Sequence, residues 1–275
     1  MKGRAEMGGR KALKIVAAAV IAAVAASLSG CRYGKVAAGR PSLKVERIQF
    51  GERNPAAFRV LVEKPVLSGA RVQQQKAVDG WIAKAVSFGF GNGNCATVES
   101  VLDAMAEKVS GDVAEAKRNA AGEPLLTKAI SYWYFDLDAQ IAYADANYLA
   151  YQTRLDEFKG WLHPFRNYRW RVWSFERERE LSPDDVFKKE SMPEVVALVK
   201  ENMAYSHDCT NFVHYAETRF IEDFRALPAN FTLDKRGIQF LFNAYEIACY
   251  AEGDIRGFVS WEQLRPYVRP DFTLP

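Results

Sequence analysis

Histidine is scarce in this chain of 275 residues, which has only His163, His207 and His214. That scarcity leaves few ways to build a metal centre or a nucleophile paired with a base. His207 and His214 stand seven apart, two turns if both lie on one helix, with Asp208 and Cys209 between them. This is none of the recurrent zinc spacings, and the expected reading is a pair of surface or half-buried side chains. Cysteine is nearly as sparse, at Cys31, Cys95, Cys209 and Cys249. After residue 30 there is no second long apolar run, and there is no internal repeat. The glycine-rich stretch "FGFGNGN" has no Lys-Ser/Thr ending, which excludes it as a phosphate cradle. No cofactor and no metal are expected.

What is present begins with the targeting segment. Lys2, Arg4, Arg10, Lys11 and Lys14 precede the apolar run "IVAAAVIAAVAAS", which is short and alanine-rich for a membrane span. The run leads into Leu28-Ser29-Gly30-Cys31, the pattern of a bacterial lipobox. Residues 1–30 are therefore expected to be a lipoprotein signal peptide, Cys31 the lipidated residue, and residues 31–42 that residue with its tether. The membrane is then a partner through the lipid, and the location is the extracytoplasmic cell envelope. Arg32 is not the aspartate that commonly retains lipoproteins in an inner membrane, which favours the outer one where two exist.

Residues 1–30 hold five of the 37 Lys and Arg and one of the 34 acids, so the rest carries 32 basic and 33 acidic side chains. The formal charge of +3 belongs to the targeting segment, and no nucleic-acid partner is implied. Cys95, Cys209 and Cys249 permit one disulfide and leave one thiol over, with all three pairings open.

Alternation and turn chemistry predict strands over "SLKVERIQF" and "AFRVLVEKPVL", then a helix from Val72 to Val86 and a long helix capped by Thr97. The stretch from Leu125 to Phe158 reads as an antiparallel meander broken near Leu137-Asp138 and Asp145-Ala146, followed by a strand over "NYRWRVWSFE". Ser182-Pro183 starts a helix, and two amphipathic patterns follow, "MPEVVALVKENMAY" and "CTNFVHYAETRFIEDF". A hairpin turns at Asp234 to Gly237, with Gly237 expected in the left-handed region, and Ser260 with Gln263 forms the capping box of a closing helix. The expected fold class is α+β, an antiparallel sheet with helices packed against it. Two subregions, 43–180 and 181–275, are expected to share one core.

The densest chemistry lies in "NAYEIACYAEGD". Glu246 as general acid or base beside a Cys249 nucleophile would make an active site, but no histidine lies near Cys249 in sequence. A buried structural turn is the alternative. In it Tyr245 and Tyr250 supply packing bodies, Glu246 accepts hydrogen bonds from loop amides, and Cys249 packs.

The order "HP", "LSPDDVF" and "PANFTLDKRGIQFLFNAYEIACYAEGDIRGFVSWEQLRPY" resembles the RsiV-type extracellular domain, which also accompanies PdaC-type peptidoglycan deacetylases and occurs in many lipoproteins of unknown role. Tyr245-Glu246-Ile247-Ala248, Tyr250-Ala251 and Gly253 match its signature, Cys249 stands where that family has proline, and Gly160-Trp161-Leu162-His163 stands for its Gly-Gly-Ala-His. The resemblance implies that the cluster is a fold signature and that His163 organises a loop. It also implies an RsiV-like ectodomain that binds lysozyme or peptidoglycan without catalysis, with His163, Tyr245, Glu246 and Tyr250 as ligand-binding candidates. The deacetylases' metal-binding catalytic domain has no counterpart here.

Two other functions remain open at this stage. An envelope enzyme acting on wall glycan would need paired carboxylates, for which Asp136, Asp138 and Asp145 on the central strands are candidates. A structural lipoprotein with a protein partner could use the aromatic strand from Trp161 to Phe175, unless those rings fill the core.

Overall fold

Successive residues of a strand point to opposite faces of its sheet, and in the strand from Tyr148 to Phe158 both faces are apolar at one end. Leu149, Tyr151 and Leu155 enter one buried cluster, whereas Tyr148 and Ala150 enter another. That strand therefore divides the protein into two cores, one on each face of a shared sheet, where a single core was expected.

The structure is a computed structural model and describes residues 42–50, 57–68, 72–88, 97–160, 162–207, 209 and 211–275. The expected signal peptide, Cys31 and most of the tether lie outside the described residues, as does Cys95. No helix among the described residues is long and apolar enough to cross a membrane.

A six-stranded sheet runs in sequence order through β1 (Ser42–Phe50), β2 (Ala57–Ser68), β3 (Tyr134–Ala144), β4 (Tyr148–Phe158), β5 (Phe165–Ser174) and β6 (Arg179–Glu180). All neighbours are antiparallel except β2 and β3, whose parallel pairing requires a long crossover. That crossover carries α1 (Val72–Ser87), α2 (Val98–Asn119) and α3 (Pro124–Ile130). Thr97 and Ser100 cap α2 reciprocally, as expected of Thr97. Val78, Trp81 and Ile82 of α1 and Val101, Leu102 and Met105 of α2 pack on Phe135, Leu137 and Ala139 of β3 and on Tyr151 of β4.

Two details of the meander differ from expectation. "PLLTKAI" is helical, because Pro124 at the first turn presets a helical φ and lacks an amide that a helix start would leave unpaired. β3 also runs unbroken through Leu137-Asp138, since Asp136 finds a cation on the neighbouring strand. The break at Asp145 is real. Its carboxylate accepts the amides of Asn147 and Tyr148, both at 2.7 Å, and thereby forms the turn.

The second core is built by α4 (Pro183–Val186), α5 (Met192–Tyr205), α6 (Phe212–Arg219), a three-stranded sheet of β7 (Phe231–Leu233), β8 (Gly237–Phe242) and β9 (Ile255–Ser260), and α7 (Trp261–Leu264). Ser260 and Gln263 form the expected capping box of α7. α6 is shorter than its amphipathic pattern, because Phe220 turns into the left-handed region at φ +51° and ends it.

The turn glycine is also explained differently. Gly237 is not left-handed; a Cβ there would lie 2.1 Å from the Val259 carbonyl oxygen, so glycine is required by the close approach of β9. Gly257 plays the same part where β9 crosses α5, with Val199 Cγ1 only 2.9 Å from an added Cβ. With a mixed sheet on which helices are segregated, the fold class is α+β.

Candidate functional site

The outer edge of β5 sets the site. Beyond its short pairing with β6, that edge would present unpaired backbone groups at Tyr168 and Trp170, and two asparagine side chains take the place of a strand. Asn243 accepts from the Tyr168 amide at 2.7 Å and donates to the Tyr168 carbonyl at 3.1 Å. Asn230 accepts from the Trp170 amide at 3.1 Å. Asn243 is held in turn by Glu246, whose carboxylate accepts from the Asn243 amide at 3.0 Å and from its Nδ2 at 3.3 Å. Glu246 thus accepts loop amides as expected, and its exposed carboxylate positions the residue that joins the two sheets.

This junction brings the turn after β8 against the loop between β4 and β5. His163 stacks on Tyr250 with ring centroids 3.6 Å apart and planes 16° apart. His163 Nδ1 lies 3.0 Å from the Pro164 carbonyl oxygen, which can only accept, so Nδ1 carries the proton. Nε2 is left to accept from the Tyr245 hydroxyl at 3.4 Å, and the Tyr250 hydroxyl donates to the same Pro164 carbonyl. Three of the four ligand-binding candidates, 82 or more residues apart at the ends of the network, therefore meet in one hydrogen-bonded cluster.

The cluster is a surface feature rather than the expected buried turn. Tyr245 is 61% exposed and sits at φ +71°, a region that bulky side chains rarely adopt. Leu162 and Phe165 are exposed beside His163 in the chain. Cys249 is exposed with a free thiol, so it does not pack. Its φ of −67° is the angle a proline ring imposes, which gives a backbone reason for proline and cysteine to share the position. Cys209 is also a free thiol, so Cys209 and Cys249 are not paired with each other.

Below the cluster lies a charged row across the sheet. The register aligns Arg59, Asp136, Asp156 and Arg166 on four adjacent strands. Two carboxylates directly opposite each other repel, and each is neutralised from its outer side. Arg59 donates to Asp136 at 3.0 and 2.8 Å, and Arg166 to Asp156 at 3.0 and 2.6 Å. Tyr134 donates to Asp156 at 3.3 Å, and burial, then the Asp156 charge, raises its hydroxyl above the ordinary value.

The carboxylates considered for glycan hydrolysis have structural partners. Asp136 is buried against Arg59, Asp138 lies 4.0 Å from Arg154, and Asp145 forms its turn. His207 and His214 fall on different elements, past the end of α5 and on α6, so their spacing does not place them on one helical face. The His207 ring packs against Tyr215 at 4.7 Å, tilted by 30°. No group of three or more potential metal ligands occurs among the described residues. On the aromatic strand, Trp173 enters the core on the α1 side and Trp170 is buried with Arg256 over its ring, so neither ring is exposed for an interface; Trp161 lies outside the described residues.

Residues 184–262 match the family model of DUF3298, a protein of unknown function. The matched segment holds Tyr245, Glu246 and Tyr250, while His163 lies outside it. A crystal structure of a member of the DUF3298 family from Bacteroides fragilis is similar at a TM-score of 0.67 and 18% identity, covering 85% of this chain and 96% of that one. A DUF3298 family protein from Pseudomonas aeruginosa is similar at 0.58 and 14%, covering 83% and 95%. At such identities the likeness is one of fold. No curated protein matches the chain.

Sequence reasoning missed Asn243, Asn230 and Pro164. Asn243 carried a signal, as the polar residue directly before the Tyr-Glu cluster at the end of an apolar strand.

Proposed function

We propose that this chain is a lipid-anchored envelope protein, attached through Cys31, whose RsiV-like ectodomain binds a lysozyme-type muramidase without catalysing a reaction. The observation that carries the reading is the exposed Tyr245, held at φ +71° and hydrogen-bonded to His163. Backbone strain at an exposed aromatic is retained where the side chain has a task at that place.

The surroundings support the same reading. Leu162, Phe165 and Tyr245 present exposed apolar area beside the His163–Tyr250 stack, the kind of surface that marks an interaction site. Exposed apolar side chains suit a protein surface better than a hydroxyl-rich glycan strand. On this reading the protein shields the wall, because a bound muramidase is kept from its substrate.

Calorimetry of the full chain in a non-ionic detergent, titrated with lysozyme and separately with soluble peptidoglycan fragments, tests the proposal. Saturable lysozyme binding at micromolar affinity or better is expected, with Tyr245→Ala weakening it about tenfold or more. Binding of the glycan fragments alone would replace the partner with peptidoglycan. Absence of heat from lysozyme would remove the proposal.

A further inference from the structure

Phe220 is a second exposed aromatic held at a positive φ. Phe220 ends α6 at φ +51° with its ring 78% exposed, at a position where glycine or asparagine would cost less. The segment that follows is fastened to the turn that carries Tyr245. Arg219 forms an ion pair with Glu252, and the Glu222 amide donates to the Ile247 carbonyl at 2.6 Å. These two links run in opposite chain senses, so the end of α6 and the 243–252 turn lie antiparallel along a seam. Phe220 and Tyr245 stand toward its opposite ends, and Val213 is exposed in the first turn of α6.

The charge on this seam is one-sided. Residues 212–225 and 243–256 contain six acids, Glu217, Glu222, Asp223, Glu246, Glu252 and Asp254, against Arg219, Arg225 and Arg256. Three of those acids have cations, Glu252 with Arg219, Asp254 with Arg256 and Asp223 with Lys200 of α5. Glu217, Glu222 and Glu246 are exposed. Exposed aromatics among exposed carboxylates repel phosphate-bearing ligands and draw a cationic protein.

We infer that this seam is a docking surface for a compact basic protein, seated on Phe220 and Tyr245 and steered by Glu217 and Glu222. The inference rests on the muramidase reading and gives that partner its required charge and a second contact area.

The test uses the full chain in non-ionic detergent, with lysozyme as the probe at low and high sodium chloride. Phe220→Gly removes the ring and relieves the left-handed backbone, so folding is retained. The double variant Glu217→Lys with Glu222→Lys reverses the rim without touching the backbone bond of Glu222. Each is expected to lower affinity about tenfold or more at low salt, and the charge reversal is expected to flatten the salt dependence. Lysozyme whose amines have been succinylated is expected not to bind. If both variants bind as the unaltered chain does while Tyr245→Ala weakens binding, the seam is wrong and the muramidase reading stands. If the unaltered chain binds no lysozyme, both fall.

Discussion

Asn243 bonds Tyr168 through both ends of its side-chain amide, accepting from the backbone nitrogen and donating to the backbone oxygen as a neighbouring strand would. Together with Asn230 it closes the open edge of β5, and it attaches the turn that carries Tyr245 and Tyr250. The surface cluster and the junction of the two sheets depend on the same residue.

Asn243→Ala leaves the Tyr168 amide without its partner, leaves the Tyr168 carbonyl only the longer bond from Asn230 at 3.3 Å, and frees Glu246. A loss of about 2–3 kcal/mol is expected in denaturant unfolding. The stacking of His163 on Tyr250 should loosen with it, read as increased hydrogen exchange in residues 159–166.

Asp185 governs stability in acid. Its carboxyl is held below the usual range, first by hydrogen bonds from Arg179 and then by the Ser182 amide and hydroxyl. A depressed folded pKa stabilises above the unfolded value of 3.8, and that contribution is lost as pH falls below it. Asp185→Asn is expected to cost about 1–2 kcal/mol at neutral pH, with the gap from the unaltered protein narrowing below pH ~4. Thermal midpoints measured between acid and neutral pH check this.

Tyr148 sets a limit in alkali. Burial, then the nearby Asp145 charge, pushes its hydroxyl up to about 12 while it donates to the Thr273 carbonyl at 2.6 Å and stacks on Phe272. The folded state keeps the proton that the unfolded state releases near 10, so stability falls as pH rises from 10 toward 12. Tyr148→Phe is expected to lose about 1 kcal/mol at neutral pH and to show a shallower alkaline decline. Unfolding curves at stepped alkaline pH distinguish the two.

Cys249→Pro tests the backbone account of that position. With φ already at −67°, the substitution is expected to stabilise by about 0.4–1 kcal/mol by restricting the unfolded chain. A lower midpoint in the variant would show that the thiol or the amide of Cys249 matters to the fold.

Much of the architecture was legible because it depends on local pattern. Thr97 before an apolar stripe, Pro183 after Ser182, and Ser260 three residues before Gln263 mark helix starts by chemistry confined to one turn. Strand alternation placed β1, β2 and β5 for the same reason. "PLLTKAI" and the end of α6 were less legible, since short apolar segments read equally as strand or helix and Phe220 carries no glycine-like mark.

By itself the sequence determined most of the order of strands and helices, α3 excepted, together with the α+β class and the capped helix starts, because propensity, capping and periodicity act over a few residues. It also singled out Tyr245, Glu246, Tyr250 and His163 as unusual. Only the tertiary structure decided that His163 meets two of those residues across 82 or more positions, that Asp136 is neutralised by Arg59, and that one sheet serves two cores. Those outcomes depend on strand register and on which backbone edge is left open, and both arise from pairings between segments far apart in the chain.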